Sequence, residues 1–210
     1  MAIIYDAVLN PTKQELLAAW LPEQPWFQQL GASAGELEHL GAFRFDDPAG
    51  EVGMETHLVR AGDGPVLHVP LTYRGAPLPG AEQFLAGTMD HSVLGDRWIY
   101  DACADPVYAT ALATVIIQGG SGAEQFRDVD GKLEPLAGAL PVRGSGGPGG
   151  IVPTTTTAVP TTEGNVTTID ANPLTLTVYR TPGTQERPAT ALTLTCSLPG
   201  QPPLILASAW

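Results

Sequence analysis

The sequence predicts a strand-rich α+β protein, in which an antiparallel sheet packs on a helix and a β-rich extension follows toward the C-terminus. Three observations predict it. The 210 residues include 24 Gly and 20 Pro, a composition that favours many turns over long helices. Residues 40–105 read as three hairpin-linked strands followed by a fourth apolar run that leads into a helix. Beyond Gly150 the composition shifts to short Thr- and Leu-rich runs separated by Pro and Gly, a pattern of brief strands.

Each element follows from local chemistry. Residues 3–9 read as a first strand. Thr12-Lys13-Gln14-Glu15 is a capping box that opens a helix running to about Leu21, where Pro22 and Pro25 stop it. Leu16, Leu17, Trp20 and Leu21 form its apolar face. Taking Asp47-Pro48-Ala49-Gly50 as a four-residue turn sets Phe45 opposite Val52 and Phe43 opposite Met54. Taking Gly62-Asp63 as a two-residue turn sets Met54 opposite Leu71, Thr56 opposite Val69 and Leu58 opposite Leu67. Both turns then place one apolar face on the same side, which the first helix is expected to cover. Glu82 to Leu85 suggests a helical turn, and residues 97–102 another strand. Asp105-Pro106 opens a second helix, with Asp105 as N-cap, and Gly119-Gly120 ends it. Residues 126–136 suggest a hairpin around Asp130-Gly131.

The glycine run 144–150 is the clearest break. It divides the chain into residues 1–138, a loop or linker at 139–150, and residues 151–210, either a separate unit or packed on the first region. In this last part, residues 155–159, 166–169, 174–180, 191–197 and 204–207 are the strand candidates.

A net charge of −12, with Lys13 and Lys132 as the only lysines, would repel a phosphate backbone and argues against nucleic acid and anionic membrane as partners. No apolar run approaches a membrane span, and the first residues lack a basic leader region, so a cytoplasmic protein is expected. Cys103 and Cys196 match no metal or redox spacing and read as two buried thiols.

Motifs that carry chemistry are few. The glycine runs lack the Lys-Ser/Thr of a phosphate-binding loop, since Gly150 precedes Ile151 and Val152, and Gly119-Gly120-Ser121-Gly122 is no nucleophile elbow. The predicted register places His57 opposite His68 on the non-core face, with Glu55 nearby. Two imidazoles and a carboxylate are a weak candidate for a divalent metal, weighed against a solvated polar face where Arg44 pairs with Glu55. Asp46 and Asp47, and Asp90 with His91, offer acid–base pairs, although Asp46-Asp47-Pro48 suits turn capping better. Asp101 and Asp105 flank a strand-to-helix junction. Trp20, Trp26, Trp98, Tyr73 and Tyr100 are aromatics on which a sugar ring could stack. Trp26, between Pro25 and Phe27, is the one expected to be exposed. Asn165-Val166-Thr167 matches a glycosylation acceptor, idle without secretion.

Trp20-Leu21-Pro22, Trp26-Phe27, Val69-Pro70-Leu71-Thr72-Tyr73-Arg74 and Trp98-Ile99-Tyr100-Asp101-Ala102 together resemble the N-terminal cap domain of actinobacterial maltokinases, over roughly residues 16–126. The chain looks like a stand-alone relative of that cap. The resemblance implies a curved, cystatin-like sheet around a helix. In that family the cap precedes a kinase-like body that phosphorylates maltose with ATP and feeds α-glucan synthesis. After Phe126 this sequence departs: it has no catalytic loop, no Asp-Phe-Gly-type metal segment and no nucleotide-binding Lys on a recognisable strand, so kinase activity is not carried over. A large barrel enzyme of the glucan-branching kind is excluded by length and pattern.

The expectation is therefore a non-catalytic binding or regulatory module in α-glucan and maltose metabolism, needing no cofactor. Its expected partner is a sugar kinase, a glucan-metabolising enzyme or a small sugar, with contacts at Trp26, Tyr73, Arg74, Asp90, His91, Trp98 and Asp101. The alternatives are a small carbohydrate-active enzyme using Asp46 or Asp47 with Asp90 or His91, and a homodimer pairing its Thr-Leu strands.

Overall fold

The computed structural model describes residues 2–4, 6–31, 37–129, 132–153, 155–184 and 189–210. In chain order its elements are β1 (Ala2–Ile4), β2 (Leu9–Asn10), α1 (Lys13–Trp20), α2 (Pro25–Gln28), β3 (Leu37–Phe45), β4 (Val52–Ala61), β5 (Val66–Arg74), β6 (Leu85–His91), β7 (Gly95–Asp101) and α3 (Pro106–Gln118). They continue with β8 (Gln125–Val129), β9 (Lys132–Pro135), β10 (Val142–Gly144), β11 (Val159–Glu163), β12 (Val166–Ala171), β13 (Leu174–Tyr179), β14 (Leu192–Cys196) and β15 (Leu204–Ala209).

The capping box forms as the sequence predicts. The Glu15 amide donates to Thr12 Oγ1 at 3.2 Å and the Thr12 amide donates to Glu15 Oε2 at 2.8 Å, satisfying two donors that a helix start otherwise leaves open. The helix α1 buries Leu16, Leu17 and Trp20. A 3-10 turn at Leu21–Glu23 follows, and Pro25 sits at the first position of α2, which buries Trp26 and Phe27.

The first sheet has the order β2-β6-β7-β5-β4-β3, antiparallel throughout, and curls into a half-barrel. Its register differs from the one predicted at both turns. Phe45 faces Met54 and Phe43 faces Thr56, because the Asp47 carboxylate accepts from the amides of Ala49, Glu51 and Val52 at 2.9–3.0 Å and holds a longer loop open. That shift is even and preserves faces. The second is not. The Gly64 amide still closes on the Ala61 carbonyl, but an extra residue enters the loop, so that Val59 faces Leu67 and Leu58 faces His68. A slip of one residue sends every β5 side chain to the other face.

The consequence is a sheet buried on both sides. Met54, Leu58, Phe43 and Phe45 share one face with Val66 and pack against α3 and the second sheet. Val59, Ala61, Leu67, Val69 and Leu71 occupy the other face, under α1 and α2. The first helix thus covers the opposite side of β4 from the one expected.

The second sheet, ordered β10-β14-β15-β13-β12-β11, is also antiparallel. The predicted Thr-Leu alternation turns Leu176, Val178 and Leu194 inward, where they meet Leu112, Ala113 and Ile116 of α3 in a core shared with the first sheet. Asp105 caps α3 by accepting the Val107 amide at 2.9 Å, and Gly119 ends it at φ 66°. The glycine-rich segment runs hard against that helix end. Gly146 and Gly147 donate to the last carbonyls, Ile116 and Ile117, at 2.9 and 3.1 Å, and a Cβ on Gly146 would fall 2.0 Å from the Ile117 oxygen.

A small third sheet, β1-β8-β9, has β1 parallel to β8. The expected strand over residues 3–9 is therefore split between two sheets, and the expected strand at 155–159 is displaced to β11. The turn at Asp130-Gly131 lies outside the described residues. Cys103 and Cys196 are both buried and free, as their spacing suggests. No helix among the described residues is long and apolar enough to cross a membrane.

Candidate functional site

A cleft of about 460 Å³ opens on the α1 side of the first sheet. Lys13 at the start of α1, the β3–β4 turn with Asp46, Asp47 and Glu51, and the β6–β7 hairpin with His91, Leu94 and Arg97 form its walls, while Gly53, Tyr73 and Met89 contribute lower down. Gly53 matters because it pairs with Tyr73 across β4 and β5. Without a side chain there, the cleft reaches down to the Tyr73 ring.

Beneath Lys13 and Arg44 lies a buried polar network. Glu55, only 9% exposed, accepts from Arg44 Nη2 at 2.8 Å and, through the same oxygen, from Lys13 Nζ. Burial opposes its ionisation, yet the fields of Arg44, His57 and Lys13 outweigh that and hold its carboxyl down at about 2. His57 Nε2 lies 3.3 Å from the Tyr73 hydroxyl and His57 Nδ1 lies 3.3 Å from Nε2 of the exposed His39. Burial pushes the His57 imidazole down to about 4, against the pull of Glu55 and with help from Lys13 and Arg44. His57 is neutral at pH 7, and its two nitrogens link a surface histidine to the tyrosine at the base of the cleft.

Residues 20–105 match the family model described as the maltokinase N-terminal cap domain. Over this segment the chain is similar to the maltokinase N-terminal cap domain. No curated protein matches the chain.

Within this segment the structure separates the residues that the sequence grouped together. Tyr73 and His91 line the cleft. Asp90 is exposed, one residue from His91 and therefore on the opposite face of β6. Arg74, next to Tyr73, likewise faces away and makes a two-pronged ion pair with the buried Asp105, Nε to Oδ2 and Nη2 to Oδ1, both at 2.7 Å. Trp98 packs with Tyr100, Ala81 and Ala104 in a small cluster.

Trp26 is 2% exposed, which corrects the expectation of an exposed loop residue. Pro25 starts a helical turn that rotates the indole inward, edge-on to Trp20 at 6.5 Å and 5.2 Å from the Arg180 guanidinium carbon. Asp101 accepts from Arg180 Nη2 at 2.6 Å and from the Cys103 amide at 3.1 Å. The metal candidate is also corrected. Glu55 and His57 lie under the cleft, but the one-residue slip places His68 on the other face, fully buried with Nδ1 3.2 Å from the Tyr179 carbonyl. Among the described residues no group of three His, Cys, Asp or Glu is arranged to hold a metal ion.

Sequence reasoning missed Lys13, Arg97 and His39 as parts of a site, and it treated Arg44–Glu55 as a surface pair when it is buried. One signal was available. Lys13 is one of only two lysines, and it occupies a helix start, where the helix dipole disfavours a cation unless something else holds it.

Proposed function

We propose that the chain is a non-catalytic binding or regulatory module acting beside a sugar kinase or glucan-metabolising enzyme in maltose and α-glucan metabolism. The match of residues 20–105 to the maltokinase cap carries this reading. The way the carboxylates are used supports it: Asp47 holds turn amides, Glu55 sits between two cations, and Asp101 and Asp105 are locked in buried ion pairs. Carboxylates committed in this way stabilise a fold and do not shuttle protons. The cleft, in turn, has the size and mixed polarity of a small-molecule site.

The test has two arms. Thermal midpoints are recorded with maltose, malto-oligosaccharides and sugar phosphates, and the chain is mixed with a maltokinase and resolved by size. A ligand at a hundred times its dissociation constant adds about 2.7 kcal/mol, several degrees for a chain of this size. The module reading expects a shift, a complex, or both, and neither arm responding would remove it. A second reading, a small carbohydrate-active enzyme, is favoured by one observation: Asp46, Asp47 and His91 line the same cleft. That reading expects turnover of malto-oligosaccharides that disappears in Asp46→Asn or Asp47→Asn.

A further inference from the structure

We infer that the cleft binds a small polyhydroxylated anion, a sugar carrying a phosphate or carboxylate, with its charged end toward Lys13, Arg44 and Arg97. The inference deepens the module reading and rests on it. Its ground is a convergence of cations whose donors are incompletely paired. The inner part of the cleft gathers three cations from three separate elements, α1, β3 and β7. Glu55, beneath them, takes Lys13 and Arg44 through a single oxygen, and Asp46, Asp47 and Glu51 line the same cleft. Arg97 donates to the Leu94 carbonyl of its own hairpin and has no carboxylate partner among the described residues.

Donors are also left over. The Nε atoms of Arg44 and Arg97 are both buried without an acceptor among the described residues, and a guanidinium can only donate. Converging cations repel one another strongly where water is excluded, and an anion seated among them would offset that repulsion. Planar guanidinium forks suit the oxygens of phosphate and carboxylate.

The rest of the ligand is read from the rim. Asp46 and Glu51, both exposed, and Asp47, held by turn amides, also line the cleft, and carboxylates there accept hydrogen bonds from hydroxyl groups while repelling a second anionic group. The Tyr73 ring, reached because Gly53 carries no side chain, lies under Lys13 Nζ, 5.8 Å from its centroid, and adds an apolar surface beside that cation for a sugar ring. A cationic base, an acceptor rim and an aromatic surface together describe a sugar with one anionic end.

Calorimetric titration of the full chain at low salt tests this with four probes: a hexose monophosphate, a hexuronic acid, the neutral hexose and inorganic phosphate. At least one sugar anion is expected to bind about tenfold or more tightly than both the neutral hexose and inorganic phosphate, and to weaken as salt is added. Arg97→Gln is expected to reduce that affinity about tenfold with little change in melting temperature, and Gly53→Leu to abolish it by filling the cleft. Equal binding of the neutral hexose or of inorganic phosphate, unchanged binding by Arg97→Gln, or no heat with either sugar anion would overturn the inference. A chain that still complexes with a sugar-metabolising enzyme while taking neither anion keeps the module reading and loses only this one.

Discussion

Arg180 is the residue on which the two halves of the molecule meet. It is 1% exposed, and its guanidinium reaches Asp101 at the end of β7, Thr167 Oγ1 on β12 at 2.8 Å, and the face of Trp26 from α2. A buried ion pair of this kind is costly to assemble, but removing one member costs more, because the remaining charge is stranded. Arg180→Met is therefore expected to lower stability by about 3–5 kcal/mol in urea denaturation, and adding Asp101→Asn should recover part of the loss. A double variant no more stable than Arg180→Met would show that Asp101 is not the group left stranded. Nothing local in the sequence distinguished Arg180 from the other arginines, since its partners lie 79 and 13 residues away. Asp101 was singled out as a contact residue, and the structure gives its carboxylate to this pair.

At the scale of elements, the glycine-rich segment and α3 show why composition alone misleads. A run of glycines reads as a spacer, yet Gly144 and Gly146 lie where a Cβ would meet the Val115 and Ile117 carbonyl oxygens at 1.9 and 2.0 Å. The small residue permits the backbone to approach and cap the helix end. Gly146→Ala should cost about 2 kcal/mol, within the range for forced overpacking, whereas Gly147→Ala, whose Cβ would meet nothing within 4 Å, should melt within a degree or two of the parent. Equal melting temperatures for the two variants would count against this packing. The register of β5 teaches a related lesson. A turn does form at Gly62-Asp63, but its loop is one residue longer than the two-residue turn expected, which changes the face each β5 side chain occupies. Loop length is set by backbone hydrogen bonds that the residue types leave open.

The whole molecule encloses its first sheet between helices α1 and α2 on one face and α3 with the second sheet on the other, and this buries two histidines. His57 is held at about 4 and His68 at about 3, both from an ordinary 6.5, by burial first and then by neighbouring cations, Arg180 in the case of His68. The sign follows from proton counting. Below pH 6.5 the unfolded chain protonates both imidazoles while the folded chain protonates neither until pH 4 and then pH 3, so the unfolded state gains protons and stability falls. Their contribution is complete above pH 6.5 and lost as pH drops through the folded values. Glu55, lowered from 4.5 to about 2, extends the loss to lower pH with the same sign. Unfolding free energies from urea denaturation should decline between pH 7 and pH 4 by an amount on the order of several kcal/mol, and His68→Asn should flatten the slope. A flat profile in the parent protein would contradict the burial of both rings.

The sequence by itself determined the α+β class, the capped starts of α1 and α3, the Thr-Leu strands of the second sheet and the likeness of residues 20–105 to a known cap domain, because each is written in short-range patterns: caps, alternation, breakers and motif residues. Tertiary structure decided which face of the first sheet each helix covers, that Trp26 and Arg180 are buried against each other, that His68 is separated from Glu55 and His57, and that Lys13, Arg44 and Arg97 converge on one cleft. Those outcomes depend on strand register and on contacts between residues far apart in the chain. A shift of one residue costs little locally, and it is the burial of both faces of the sheet that selects among the alternatives.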